Sequence, residues 1–181
     1  PDAPFLGAGM GTGDVIGIIP TLDATVFVAM TEDGKLARGF ETLYTEMEKV
    51  RRYGFTQGEF ERAQENLMRQ AERSYANRND RRNNEFVQTY LNNYQKNQPM
   101  PDAGRHGVDG KHHIPIAADA AVVDAVNAFA KQTILPTNQV IVINAPEKEG
   151  VATPTAEEIL AIRDKVAASE VTAYEDNVVK E

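Results

Sequence analysis

The three histidines of this chain, His106, His112 and His113, fall within one stretch, Asn97 to Pro115, with Asp102 and Asp109 beside them. Imidazole nitrogens and carboxylate oxygens are zinc ligands, so metal binding is the first chemistry these residues could perform. Two adjacent histidines on a Pro- and Gly-rich loop lack a rigid frame, however, and no His-Glu-x-x-His helix spacing occurs anywhere in the chain. Plain solvation or adventitious metal binding is therefore the favoured reading. A second chemistry is raised by Gly7, Gly9, Gly11 and Gly13. A phosphate-cradling loop fails on spacing. The dinucleotide fingerprint needs a glycine three residues after the second, where Thr12 stands, and the Gly-Lys-Ser/Thr of a P-loop is absent. Glycine at every second position instead fits an extended strand with one bare face, against which another backbone or a helix lies closely.

Other constellations are excluded in turn. There is no cysteine, hence no thiolate zinc site, disulfide or cysteine nucleophile. Neither a His-x-x-Glu-His motif nor a Gly-x-Ser-x-Gly elbow is present, and Ser74 and Ser169 have no base nearby in sequence. Glu41, Glu46, Glu48, Glu61, Glu65 and Glu72 sit at positions expected on outer helix faces, where solvation is their expected state. Arg78, Arg81 and Arg82 cluster between helices, yet no aromatic residue is interleaved with them and the net charge is −8. A solvated helix junction is thus preferred to a nucleic-acid stripe. Tyr90 and Tyr94 are read as core or interface groups rather than base-stacking platforms. No catalytic, cofactor-binding or metal-ligating residue is assigned in this chain.

The elements that would position these residues are clearer. The stretch from Tyr53 to Phe60 holds the stop of one amphipathic helix and the start of the next. Upstream, Leu36, Phe40, Leu43, Tyr44, Met47 and Val50 recur at helical spacing, and Lys49, Arg51 and Arg52 suit the carbonyl end of the dipole. Gly54 fits the left-handed position after a helix. Thr56 and Glu59 form a capping box, and Phe55 can staple onto Phe60. The spacing predicts helices over Leu36–Tyr53 and from Glu59 to about Asn77, the second with Phe60, Ala63, Leu67, Ala71 and Tyr75 on one stripe and Glu65 paired with Arg69 outside.

Before these, Val15–Ile19 and Ala24–Thr31 read as two strands or one interrupted strand. After them, Asn79 or Asp80 is expected to cap a third helix with Phe86, Val87, Tyr90, Leu91 and Tyr94 facing inward. Asp119 is expected to cap a fourth, bearing Val122, Val123, Val126 and Phe129 and ending near Ile134. Val140–Ile143 reads as a short buried strand. A final helix starts at Thr153-Pro154 or through the box Thr155 to Glu158, carrying Ile159, Leu160, Ile162 and Val166.

With 181 residues, 41% apolar and 25% charged, the chain is expected to form one domain over 1–181. No apolar run reaches the roughly 20 residues of a membrane helix. The opening at Pro1 and the uncapped end at Val171–Glu181 carry the expectation of a segment excised from something longer.

The wording adds what periodicity cannot. Pro4-Phe5-Leu6-Gly7-Ala8, the run Glu46-x-x-Lys49-x-x-x-Tyr53-Gly54-Phe55-Thr56-x-x-Glu59-x-x-Arg62-Ala63, and Asn138-Gln-Val-Ile-Val-Ile-Asn-Ala-Pro146-Glu-Lys-Glu-Gly-Val-x-x-Pro154-Thr155 resemble the pitrilysin (insulinase, mitochondrial-processing-peptidase-like) family of zinc metallopeptidases. The likeness covers most of the chain. It is most specific at Gly54–Glu59 with Arg62-Ala63 and at Pro146–Thr155, and it points to the second, non-catalytic domain of the larger bacterial members. The resemblance implies an α+β fold, an α/β sandwich with a sheet that has helices packed on one face, as a partial or single repeat. It implies a role as part of a peptide-binding chamber beside a catalytic domain or subunit, with zinc in the parent protein and none in this segment. The family's zinc ligands and water-activating glutamate match no position here, and the substrate-contacting Arg and Tyr of some second domains would lie upstream of Pro1. The stretch Gly104–Pro115 departs from the family pattern, in which an acidic, more apolar connector follows Pro-Met-Pro-Asp. A non-enzymatic peptide-binding or partner subunit is the alternative. The export of bacterial relatives implies an extracytoplasmic location.

Overall fold

The computed structural model describes residues 3–14, 23–77, 79–80, 82–97 and 120–175. Among them are two strands and five helices, an α+β chain: β1 (Gly7–Asp14), β2 (Asp23–Met30), α1 (Leu36–Tyr53), α2 (Gln57–Ala76), α3 (Asn83–Lys96), α4 (Ala120–Thr133) and α5 (Ala156–Ala168). The described chain divides into two compact units. One holds β1, β2, α1 and the chain from Val126 to Glu175, and the other runs from Phe55 through α2 and α3 to Ala125 in α4.

In the first unit β1 and β2 pair antiparallel, Gly7 opposite Met30 through to Asp14 opposite Asp23. Directly opposed residues share a face. The four glycines of β1 therefore form a bare strip beside Met30, Val28, Val26 and Ala24, while Met10 and Thr12 stand on the other face with Phe27 and Thr25. These glycines do form a strand, but the backbone or helix expected to lie closely on their bare face is not there among the described residues: a Cβ on Gly9, Gly11 or Gly13 would meet none of them within 4 Å. The strand expected at Val15–Ile19 lies outside the described residues.

Helix α1 packs on β2. Gly39 permits the approach, since a Cβ there would collide with the Thr31 methyl. Tyr44 and Met47 of α1, Ala130 of α4, Ile134, Ile159 and Val166 of α5, and Val171 are buried and form this unit's core. Helix α1 ends at Gly54, whose φ of 77° is in the left-handed region and whose N–H donates to the Val50 carbonyl. The start of α5 resolves as the second alternative: Thr155 is the N-cap, and the Thr155–Glu158 box is complete in both directions.

In the second unit the Thr56–Glu59 box is likewise complete, the Glu59 N–H donating to Thr56 Oγ1 at 3.2 Å and the Thr56 N–H to Glu59 Oε2 at 2.9 Å. The Glu65–Arg69 pair forms at 3.4 Å.

Several expectations are corrected. Val140–Ile143 forms no strand and joins no ladder among the described residues; Ile141 and Ile143 are half-buried, while Val140 and Val142 are 89% and 74% exposed. An alternating β-branched run prescribes an extended backbone, but a strand needs a neighbour to pair with. The stripe Phe86, Val87, Tyr90, Leu91 and Tyr94 of α3 does not face inward: all five are exposed, Tyr94 to 88%. Periodicity places residues on one helix face and does not supply what covers it. Helix α3 starts at Asn83, not directly after Asn79 or Asp80. Leu67, Phe129 and Leu160 are exposed, and no residue of α2 is buried. The capping expectation at Asp119 falls outside the described residues.

Candidate functional site

The most deeply buried polar side chain is a carboxylate that the sequence assigned to solvent. Glu48, near the end of α1, is 1% exposed. Helical geometry explains its partners, because residues three and four ahead lie on the same face. Arg51 donates from Nε to Glu48 Oε1 at 2.9 Å and from Nη2 to Oε2 at 2.7 Å, and Arg52 donates from Nε to Oε2 at 2.9 Å. Arg52 then reaches across to the end of α5. Its Nη2 donates to the Ala167 carbonyl at 2.7 Å and its Nη1 to the Ser169 carbonyl at 2.8 Å. The neighbouring Tyr53 hydroxyl donates to the Val171 carbonyl at 2.7 Å. The Ala167 carbonyl at the negative end of α5 and the Ser169 carbonyl of its cap thus receive a guanidinium, and the phenol holds the chain just beyond the helix.

Burial pushes the Glu48 carboxyl up. The hydrogen bonds from Arg51 and Arg52, together with their charges, outweigh this and hold it below its ordinary range. Arg51 is raised by its bond to Glu48. The arrangement stores an anion. A carboxylate with both oxygens occupied, shielded from solvent and reluctant to protonate, is neither a general acid nor an accessible base. Glu48 is a fastening. The expectation that it lies on a solvated outer face is corrected, and the signal that could have found it is the Glu-x-x-Arg-Arg spacing at a helix end.

The remaining expected carboxylates have ordinary surface roles. Glu41 pairs with Lys165, Glu46 with Lys49, and Glu61 accepts from Gln57. Ser169 donates to the Val166 carbonyl at 2.8 Å, a helix-end contact with no base. His106, His112 and His113, with Asp102 and Asp109, lie outside the described residues, as do Arg78 and Arg81. Among the described residues no group of three His, Asp or Glu could hold a metal ion, so none fits a zinc centre. Among the same residues, no helix is long and apolar enough to cross a membrane.

An open surface is found on the hairpin. A shallow depression of about 440 Å³ is lined by Gly9, Gly11, Gly13, Val26 and Val28 with Met10 and Thr12. Among the described residues nothing lies within 4 Å of where a Cβ would stand on Gly9, Gly11 or Gly13. Its lining is backbone, aliphatic and thioether surface with the Thr12 hydroxyl and no charged side chain.

Compared with family models, curated proteins and solved structures, the chain matches none.

Proposed function

We propose that this chain is the non-catalytic repeat of a pitrilysin-type zinc peptidase, forming scaffold and wall of a peptide-binding chamber and hydrolysing nothing by itself. The observation that carries the reading is a coincidence of wording and geometry at one turn. The family-like run Tyr53–Glu59 falls where α1 stops on Gly54, at a positive φ of 77°, and α2 starts through the Thr56–Glu59 box. A strand pair with α1 packed against β2 supports the sandwich of the family, and the glycine-lined depression supports a surface for an extended chain.

Zinc would belong to the catalytic part of such a peptidase and would supply an activated water there; no role in that step falls to any residue described here. Reading the gene 5′ of the Pro1 codon tests the assignment. The expected outcome is an in-frame His-x-x-Glu-His motif followed at a distance by a ligand glutamate. Absence of the motif would remove the peptidase reading; co-purification with a motif-bearing partner would then establish the alternative, a non-enzymatic partner subunit.

A further inference from the structure

We infer that Met10 and Met30 are modification sites, oxidised by hydroperoxides ahead of Met47, and that their sulfoxides turn the hairpin surface from apolar to polar while the core of the first unit stays intact. Exposure sets the two apart. Met10 and Met30 are 52% and 64% exposed, Met68 on α2 is half-buried, and Met47 on α1 is 9% exposed within the core. A thioether sulfur must meet the peroxide oxygen directly, so its rate follows the access that the oxidant has to it. Met100 lies outside the described residues.

The register sets the two side chains on opposite faces of the hairpin, Met30 across from Gly7 and Met10 across from Phe27. The Met30 Cε methyl comes 3.6 Å from where a Cβ would stand on Gly7, so this thioether lies over one end of the bare glycine strip. On the Met10 face, Thr12 and Thr25 place their hydroxyl oxygens 3.4 Å apart. From Gly7 to Gly13, β1 carries no charged side chain. A sulfoxide on either face therefore adds a strong dipole and acceptor to a surface that has few polar groups.

With hydrogen peroxide the step is a two-electron oxygen transfer. The methionine sulfur attacks one peroxide oxygen, the S–O bond forms as the O–O bond breaks, and the proton on the transferred oxygen passes to the departing hydroxide, which leaves as water. Sulfur is oxidised to the sulfoxide and the peroxide is reduced. At Met47 the same change would put a polar group into the core without a partner. At Met10 and Met30 the new oxygen stays in water and core packing is untouched. The effect on binding rests on the chamber-wall reading: an extended chain lying over the glycine strip meets a sulfoxide at Met30 in place of a thioether and is held less tightly.

Peptide mapping by mass spectrometry during timed exposure of the whole chain to hydrogen peroxide tests this. Met10 and Met30 are expected to gain oxygen about fivefold faster than Met47 or more, the order of the ratio of their exposures, and before any helical circular dichroism is lost. Met10→Leu with Met30→Leu, a volume-conserving exchange, is expected to abolish this early uptake and leave Met47 as slow as before. Equal rates at Met10, Met30 and Met47, or loss of helix in step with the first sulfoxide, would overturn the inference. Fluorescence anisotropy with an extended peptide reads the consequence: several-fold weaker binding after oxidation, and no effect of peroxide in the double Leu variant. Binding that survives oxidation of both residues unchanged would also overturn it, whereas no binding by the unoxidised chain would count against the chamber-wall reading and leave the mapping to decide the sites.

Discussion

At the scale of single residues the organising fact is an acid that does no chemistry. Removing both guanidinium groups, as in Arg51→Ala with Arg52→Ala, leaves Glu48 charged and buried, a situation that costs about 3–5 kcal/mol. Glu48→Gln leaves two arginines whose side chains are each about a quarter exposed and can hydrate, so its cost is smaller, about 1–2 kcal/mol. Chemical denaturation of both variants checks that order. The pH dependence has a definite sign. The native carboxyl titrates below its ordinary 4.5, so the unfolded chain binds more protons just under that value. This contribution is complete above pH 4.5 and is lost as pH falls through the native value; Glu48→Gln is expected to flatten that part of the acid limb. Gly54→Ala is expected to destabilise by more than 1 kcal/mol for two reasons, the φ of 77° and a Cβ 2.5 Å from Asn127 Cγ. Adding Asn127→Gly relieves the collision and leaves the backbone strain, so only partial recovery is expected in thermal melts. Gly54 was legible in the sequence because a left-handed glycine after a basic helix end is a local signal. Glu48 was not, because its burial depends on where α5 returns, more than a hundred residues later.

At the scale of elements the helices were the legible part. The α1 limits, both capping boxes and the α5 start follow from contacts within four residues, and such contacts are written contiguously in the chain. Thr56→Ala and Thr155→Ala are each expected to cost about 1 kcal/mol, seen as a lower denaturation midpoint for the unit that contains the helix. What failed were two readings that needed a partner elsewhere in the chain. The stripe of α3 has helical spacing but is exposed, and Val140–Ile143 has strand composition but no ladder among the described residues. Tyr94→Ser is accordingly expected to change stability by less than about 0.5 kcal/mol, against several kcal/mol for a core tyrosine. A large loss would mean that the stripe is covered after all.

At the scale of the whole molecule, an α+β composition was legible, and the candidate site was legible only as exclusions. Among the described residues the one deeply buried acid is fully bonded, and the hairpin depression is lined by backbone, aliphatic and thioether groups with the Thr12 hydroxyl. The function proposed here is binding without turnover. The measurement that tests it most directly is titration of the purified chain with extended, internally quenched peptides in the presence of zinc, following binding by anisotropy and peptide integrity by mass spectrometry. The account predicts saturable binding with every peptide recovered intact, and weaker binding when Gly11→Val fills the bare strip. Hydrolysis that co-purifies with the chain and stops on adding a chelator would contradict it.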